Sequence, residues 1–194
     1  RDGKYQLKML SPSSFKPLAA SMGPMLKEES FHLGTGANGL RRVVKQGVIP
    51  CALVQKYVNK WASTGLDLFG TDDSTSAQWA YVYGIKGRYD EREAAVEADR
   101  EHLNEASREL YFQELRDEMK RISKVRKEGE PELFIPSDKF RRGIGKYAGK
   151  MYTVEGEPFE GGQGEYEAYL ASVLPSEAEE EQLVNEYMQQ EWIQ

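Results

Sequence analysis

Met25-Leu26-Lys27-Glu28-Glu29-Ser30-Phe31-His32 is the stretch that decides how this chain is organised. It reads as helix, because strong helix formers fill its middle and no β-branched run opposes them. Glu29 and His32 stand at i and i+3, so both project from one helical face and can reach the same ion. A carboxylate and an imidazole offer one hard and one borderline ligand, a mixture suited to iron or manganese. In di-iron carboxylate bundles such a Glu-x-x-His unit occurs on two helices, and two further helices each add a carboxylate. Here Glu-x-x-His occurs once. The same spacing is common on solvated helix faces, where it carries no chemistry. Met25, Leu26, Phe31 and Leu33 make this helix apolar around the pair and predict partial burial. A buried Glu–His pair needs a partner, and a metal is one of the few adequate ones.

Working outward, Asp2-Gly3 and Ser11-Pro12-Ser13 are turn signals, so Arg1 to Ser13 reads as a linker-like lead-in. Ser13 or Ser14 is expected to cap the helix that follows, with Pro17 in its first turn. Gly23-Pro24 predicts a kink one turn before Glu29. On the other side, Gly34-Thr35-Gly36-Ala37-Asn38-Gly39 matches the Gly-x-Gly-x-x-Gly dinucleotide fingerprint. That fingerprint needs a preceding strand and an acidic residue about 20 positions on. A helix precedes it and Gln55 to Asn59 holds no acid, so the glycines are read as room for a close backbone neighbour. Gly47 is the expected stop.

Pro50 opens a second helix to about Leu68, with Leu53, Val54, Tyr57, Val58 and Trp61 as its apolar stripe. Asp67, near its end, is a candidate ligand or a solvated terminal acid. Asp72-Asp73-Ser74 should form a turn and cap a helix from Ala77 to about Tyr83. Gly84-Ile85-Lys86-Gly87-Arg88 breaks that helix and offers two cations to a phosphate or to solvent. A long charged helix is expected from Glu91 to Lys127; Asp99 and His102 repeat the i, i+3 spacing there, in strongly polar surroundings. Beyond it, Leu133-Phe134-Ile135 reads as a short strand or packed extended segment, and Ser137 as the cap of a short helix from Asp138 to Lys146. Tyr152-Thr153-Val154 allows a small hairpin at most, and an acidic helical tail follows from Glu165, its last piece starting at Pro175-Ser176.

The chain has 194 residues, 39% hydrophobic, 11% aromatic and 30% charged, which suits a strongly helical chain with a real core. A net charge of −6, without a basic stripe, argues against nucleic acid as partner. No apolar run approaches the ~20 residues needed to span a membrane. A single cysteine, Cys51, forms no internal disulfide; it reads as a small core residue and fits a cytoplasmic protein. The sequence starts at Arg1 with neither methionine nor signal peptide, and the expectation is a truncated beginning.

Lys27-Glu28-Glu29-Ser30-Phe31-His32 resembles the second iron-binding helix of the ring-epoxidising oxygenases of aromatic acyl-CoA degradation, phenylacetyl-CoA epoxidase among them. A longer similarity is to the oxygenase component of benzoyl-CoA epoxidase. It covers Gly3-Lys4-Tyr5-Gln6-Leu7, Gln55-Lys56-Tyr57-Val58-Asn59, Asp67-Leu68-Phe69-Gly70 and Gly84-Ile85-Lys86-Gly87-Arg88-Tyr89. It resumes at Leu103-Asn104-Glu105, Ile135-Pro136 and Phe140-Arg141-Arg142-Gly143-Ile144-Gly145, in the family's order. The chain departs from the family in carrying Glu-Ser-Phe-His for the usual Glu-Ala-His-His, and in lacking the last stretch after Trp192.

What the resemblance implies is a mainly α fold: the C-terminal part of a ferritin-like di-iron bundle over residues 1–90, then a family-specific helical and irregular extension over 91–194. Glu29 and His32 match the family's last two iron ligands, for two non-haem irons, with manganese as the alternative metal. The other ligands would belong to helices before Arg1. Asp2 lies near the expected third carboxylate but in a predicted turn, so the role is not carried onto it. The implied reaction inserts one atom of O2 into the aromatic ring of a CoA thioester such as benzoyl-CoA, giving an epoxide and water. Electrons would come from a separate NAD(P)H-dependent reductase, since nothing here binds flavin or nicotinamide. Two other readings stay open: a ferritin-like relative catalysing another oxidation, and a non-catalytic partner subunit.

Overall fold

The computed structural model describes residues 1–86 and 103–187 and is mainly helical, with no strand among them. Its helices are α1 (Asp2–Leu10), α2 (Lys16–Gln46), α3 (Cys51–Asp67), α4 (Thr75–Val82), α5 (Leu103–Ser123), α6 (Gln163–Val173) and α7 (Glu177–Gln182). No helix among the described residues is long and apolar enough to cross a membrane.

The lead-in is the first departure from expectation: Asp2 to Leu10 is helix, not linker. Tyr5 and Met9 bury their side chains against Leu66, Phe69, Tyr111 and Phe112, and this tertiary packing overrides the turn signal at Asp2-Gly3. A second core joins Val44 of α2, Cys51 and Val54 of α3, Met119 and Ile122 of α5, and Leu133. Helix α5 contributes to both cores, which makes it the keel of the molecule.

Helix α2 runs unbroken through Pro24 and the glycine run and ends where expected, at Gly47 with φ 62°. Its N-terminus carries no side-chain cap. Ser14 instead donates its hydroxyl to the Tyr83 carbonyl at 2.6 Å and its N–H to the Gly84 carbonyl at 2.7 Å, tying the start of α2 to the end of α4. A Cβ at Gly34, Gly36 or Gly39 would meet nothing within 4 Å, so the backbone neighbour expected there is not among the described residues.

Glu130 caps α3 from a distance, accepting from the Cys51 N–H at 2.8 Å where the helix dipole favours an anion. Cys51 is buried and free. Ser74 caps α4 as expected, accepting from the Ala77 N–H at 3.2 Å. Asp72 accepts from the N–H groups of Asn104 and Glu105, both at 2.9 Å, and so holds the first described turn of α5.

Past α5 the chain is extended without a sheet. Side chains satisfy its backbone instead: Gln55 accepts from the Phe134 N–H and donates to its carbonyl, both at 2.9 Å. Ser123 does the same for Leu133, at 2.8 and 3.1 Å. The helix expected over Asp138 to Lys146 is absent; turns and a 3₁₀ turn over Gly145–Tyr147 stand in its place. Arg141 and Gly145 take positive φ, 51° and 76°, which a helix cannot contain. Tyr152 and Pro158 make the single bridge of the small hairpin, and Phe159, Tyr166 and Tyr169 stack beside it at 5.2–6.1 Å. Ser176 starts α7 with a capping box, and Glu179 and Glu180 then pair with Lys56 and Lys60 of α3, at 2.6 and 3.1 Å.

Candidate metal centre

Helix geometry alone brings Glu29 and His32 together: His32 Nδ1 lies 3.5 Å from Glu29 Oε2. The expected burial is met by one partner only. The Glu29 side chain is 21% exposed and that of His32 66%. Met25 and Phe31, counted on to cover the pair, are themselves exposed at 45% and 66%. The cover on Glu29 comes from α1, at Gly3. A Cβ there would sit 3.1 Å from Glu29 Oε1, so the missing side chain makes the room that the carboxylate uses.

Both residues line a cavity of about 260 Å³ between α2 and α5. Leu33, Gly36, Ala37 and Leu40 form its α2 wall; Leu115, Glu118, Met119 and Ile122 form the α5 wall. Arg1 closes the rim and binds Glu118 Oε2 at 2.9 Å. Its guanidinium also meets Glu114, which takes Lys4 at 2.6 Å and the Tyr5 hydroxyl as well. Burial pushes the Glu114 carboxyl up, but the bonds from Lys4 and Tyr5 and the charges of Lys4 and Arg1 outweigh it and hold it down to about 2. The same burial, with the Glu114 bond and charge added, raises the Tyr5 hydroxyl. This α1–α5 clamp fixes the edge of α1 that faces Glu29. It was illegible in sequence because its members lie more than 100 positions apart.

Among the described residues no three His, Cys, Asp or Glu side chains stand close enough to hold a metal ion. Glu29 and His32 can fill two positions of one six-coordinate ion, and Glu118 is engaged by Arg1. The donor chemistry fits iron; two donors do not by themselves hold a pair of irons.

The other sequence candidates separate clearly. Asp67 is partly exposed but turned to the loop after Phe140 and not to the cavity. It binds Arg142 Nε at 2.5 Å and the Gly143 N–H at 2.7 Å, and the Arg142 side chain is 4% exposed. Lys86 is half-buried, donates to Asn104 at 3.2 Å, and burial lowers its ammonium against the smaller opposing charge of Asp72. Asp99, His102 and Arg88 lie outside the described residues.

No known family model matches the chain. Among curated proteins it is similar to the benzoyl-CoA oxygenase component B of Aromatoleum evansii, 37% identical over 110 residues. The match covers 47% of this chain and 23% of that protein, so under a quarter of the relative's length is represented. The similarity bears out the family resemblance carried by the sequence.

Proposed function

We propose that this chain is part of the oxygenase component of a di-iron aryl-CoA epoxidase, and that Glu29 and His32 are two of its iron ligands. The observation that carries the reading is the Glu29–His32 pair, 3.5 Å apart on α2, in a chain similar to a benzoyl-CoA oxygenase component. The remaining donors and the bundle's other helices come from residues that precede α1 in the complete protein. They cover α2 where Gly34 and Gly39 have no neighbour within 4 Å, while Gly36 lines the cavity towards α5.

Bound iron supplies the activation of O2; the protein supplies what metal chemistry lacks. Glu29 and His32 would hold the metal, Gly3 leaves room for the Glu29 carboxylate, and Leu33, Leu40, Leu115 and Met119 give the cavity its apolar walls. Electrons arrive from a separate NAD(P)H-dependent reductase, and the substrate is an aromatic ring carried on CoA. Manganese in place of iron is the variant metal reading, and the protein is cytoplasmic.

The test is iron content together with aryl-CoA-dependent O2 consumption, measured on the complete protein with a matched reductase. Glu29→Ala and His32→Ala should each lose bound iron and at least 100-fold of activity, a scale typical of losing metal ligation or its support (about 10–100-fold or more). Asp99→Ala and His102→Ala should keep both. Iron lost in His102→Ala but retained in His32→Ala overturns the assignment. One observation favours a second reading, a non-catalytic partner subunit: no third donor stands near the pair among the described residues. On that reading the complete protein holds no iron. The remaining reading, another oxidation on a related bundle, keeps the iron but shows no aryl-CoA dependence.

A further inference from the structure

Gln55-Lys56-Tyr57-Val58-Asn59, one of the stretches that carry the family resemblance, is where α3 holds the chain beyond α5. Gln55 takes both backbone groups of Phe134. Asn59, which is buried, donates Nδ2 to the carbonyl of Val173, the last residue of α6, at 2.9 Å. Lys56, with Lys60 one turn on, meets Glu179 and Glu180 of α7 at 2.6 and 3.1 Å. These attachments differ in kind. Helix α6 buries Tyr166 and packs it against Phe159 and Tyr169, so it has a core of its own. Helix α7 buries no residue, and among the described residues its bonds to α3 are the two ion pairs. Leu174, between the two helices, is extended at φ −112° and ψ 157°, and Pro175 follows, so α6 cannot run on into α7.

We propose that α7 is a salt-released strap, hinged at Leu174-Pro175, that folds as it docks on Lys56 and Lys60 and melts as it lifts away. Glu179 couples the two events. Its Oε2 accepts from the N–H and the hydroxyl of Ser176, at 2.9 and 3.0 Å, and closes the capping box; its Oε1 takes Lys56. A helix of six residues is too short to persist unaided, so it relies on this dock. Past Lys150 the sequence has eleven glutamates and no lysine or arginine, so α7 finds its cations on α3 and not in its own segment. Both ion pairs stand at the surface, where added salt screens them. The Asn59–Val173 bond joins neutral groups and keeps α6 in place at any ionic strength. Burial raises the Tyr57 hydroxyl, and the charges of Glu180 and Glu179 add to it against Lys60, which puts Tyr57 beneath the strap. Release bares Lys56, Tyr57 and Lys60 as a cationic strip beside the exposed Trp61. None of these residues lines the Glu29–His32 cavity.

The test is amide hydrogen exchange on the full chain at about 0.01 M and about 1 M NaCl, between which the screening length falls from about 30 Å to about 3 Å. Exchange over residues 177–183 should speed up about three- to tenfold in high salt, while that over residues 163–173 holds. Lys60→Glu should give the fast exchange already at low salt, and Lys60→Glu combined with Glu180→Lys should restore protection. Glu180→Gln leaves α3 untouched and should speed exchange in α7 alone; it decides the matter if Lys60→Glu lowers the melting temperature. Four results overturn the proposal: no protection of α7 at low salt, protection that high salt leaves in place, α6 and α7 opening together, or a swapped pair that fails to restore protection.

Discussion

Gly3 of α1 stands against Glu29 of α2 so closely that a Cβ at residue 3 would lie 3.1 Å from the Glu29 carboxylate oxygen. The atoms it would meet are the far end of a flexible side chain, so Gly3→Ala should cost the fold little. A gain of up to ~0.5–1 kcal/mol is expected from replacing a helical glycine. The displaced carboxylate is the price, and iron content of the complete protein should fall while its melting temperature holds or rises. Parallel metal analysis and thermal melts of the two proteins check this.

The glycines of α2 separate two environments. In the present chain Gly34→Ala, Gly36→Ala and Gly39→Ala meet open space, so each should stabilise by about 0.5–1 kcal/mol. In the complete protein, where we propose that other helices cover Gly34 and Gly39, the Gly34→Ala/Gly39→Ala double variant should lose stability and iron. Urea unfolding of both forms reads the sign, and a gain in both would remove the argument for a covering helix.

Asp67→Asn leaves the Arg142 guanidinium, 4% exposed, without its counter-charge. Breaking a buried pair from one side costs about 3 kcal/mol, roughly a 10 °C fall in Tm for a chain of this size. Melts followed by circular dichroism should show that fall with iron content in the complete protein unchanged, because this carboxylate serves the loop after Phe140.

Glu114 gives the α1–α5 clamp its pH dependence. Its folded pKa of about 2 lies below the ordinary 4.5, so the ionised form is favoured by folding. The contribution is fully present above 4.5 and disappears as pH falls through 4.5 towards 2; it is of the order of 2 kcal/mol. Denaturation of wild type and Glu114→Gln should therefore differ most near pH 7 and converge near pH 2.

Local signals read well from sequence, and long-range ones did not. Gly47, Pro50, Ser74 and Ser176 punctuate the helices by their own backbone chemistry, and the helix edges fall beside them. The Glu29–His32 pair was legible for the same reason, since i, i+3 proximity needs nothing but the helix. Residues 2–10 misled because Asp2-Gly3 looks like a turn until Tyr5 and Met9 find Tyr111 and Phe112. The segment after Ser137 misled because Asp67, some 75 positions upstream, captures Arg142 and Gly143 and winds the chain away from helix. The depth at which Glu29 and His32 sit was beyond reach, being set by Gly3 and by the side chains of α5.

Helix α2 is buried at Met22 near its start and at Val44 near its end, and at no residue between them. Ordinary helices fray from their tips; this one is pinned near both and has its weakest packing at mid-span, where Gly34, Gly36 and Gly39 lower the cost of opening. Amide hydrogen exchange should run in the reverse of the usual order, fastest around residues 34–39 and slowest beside Met22 and Val44. The turn next to His32 can then open without disturbing either core, so the imidazole sits on the most yielding part of the helix.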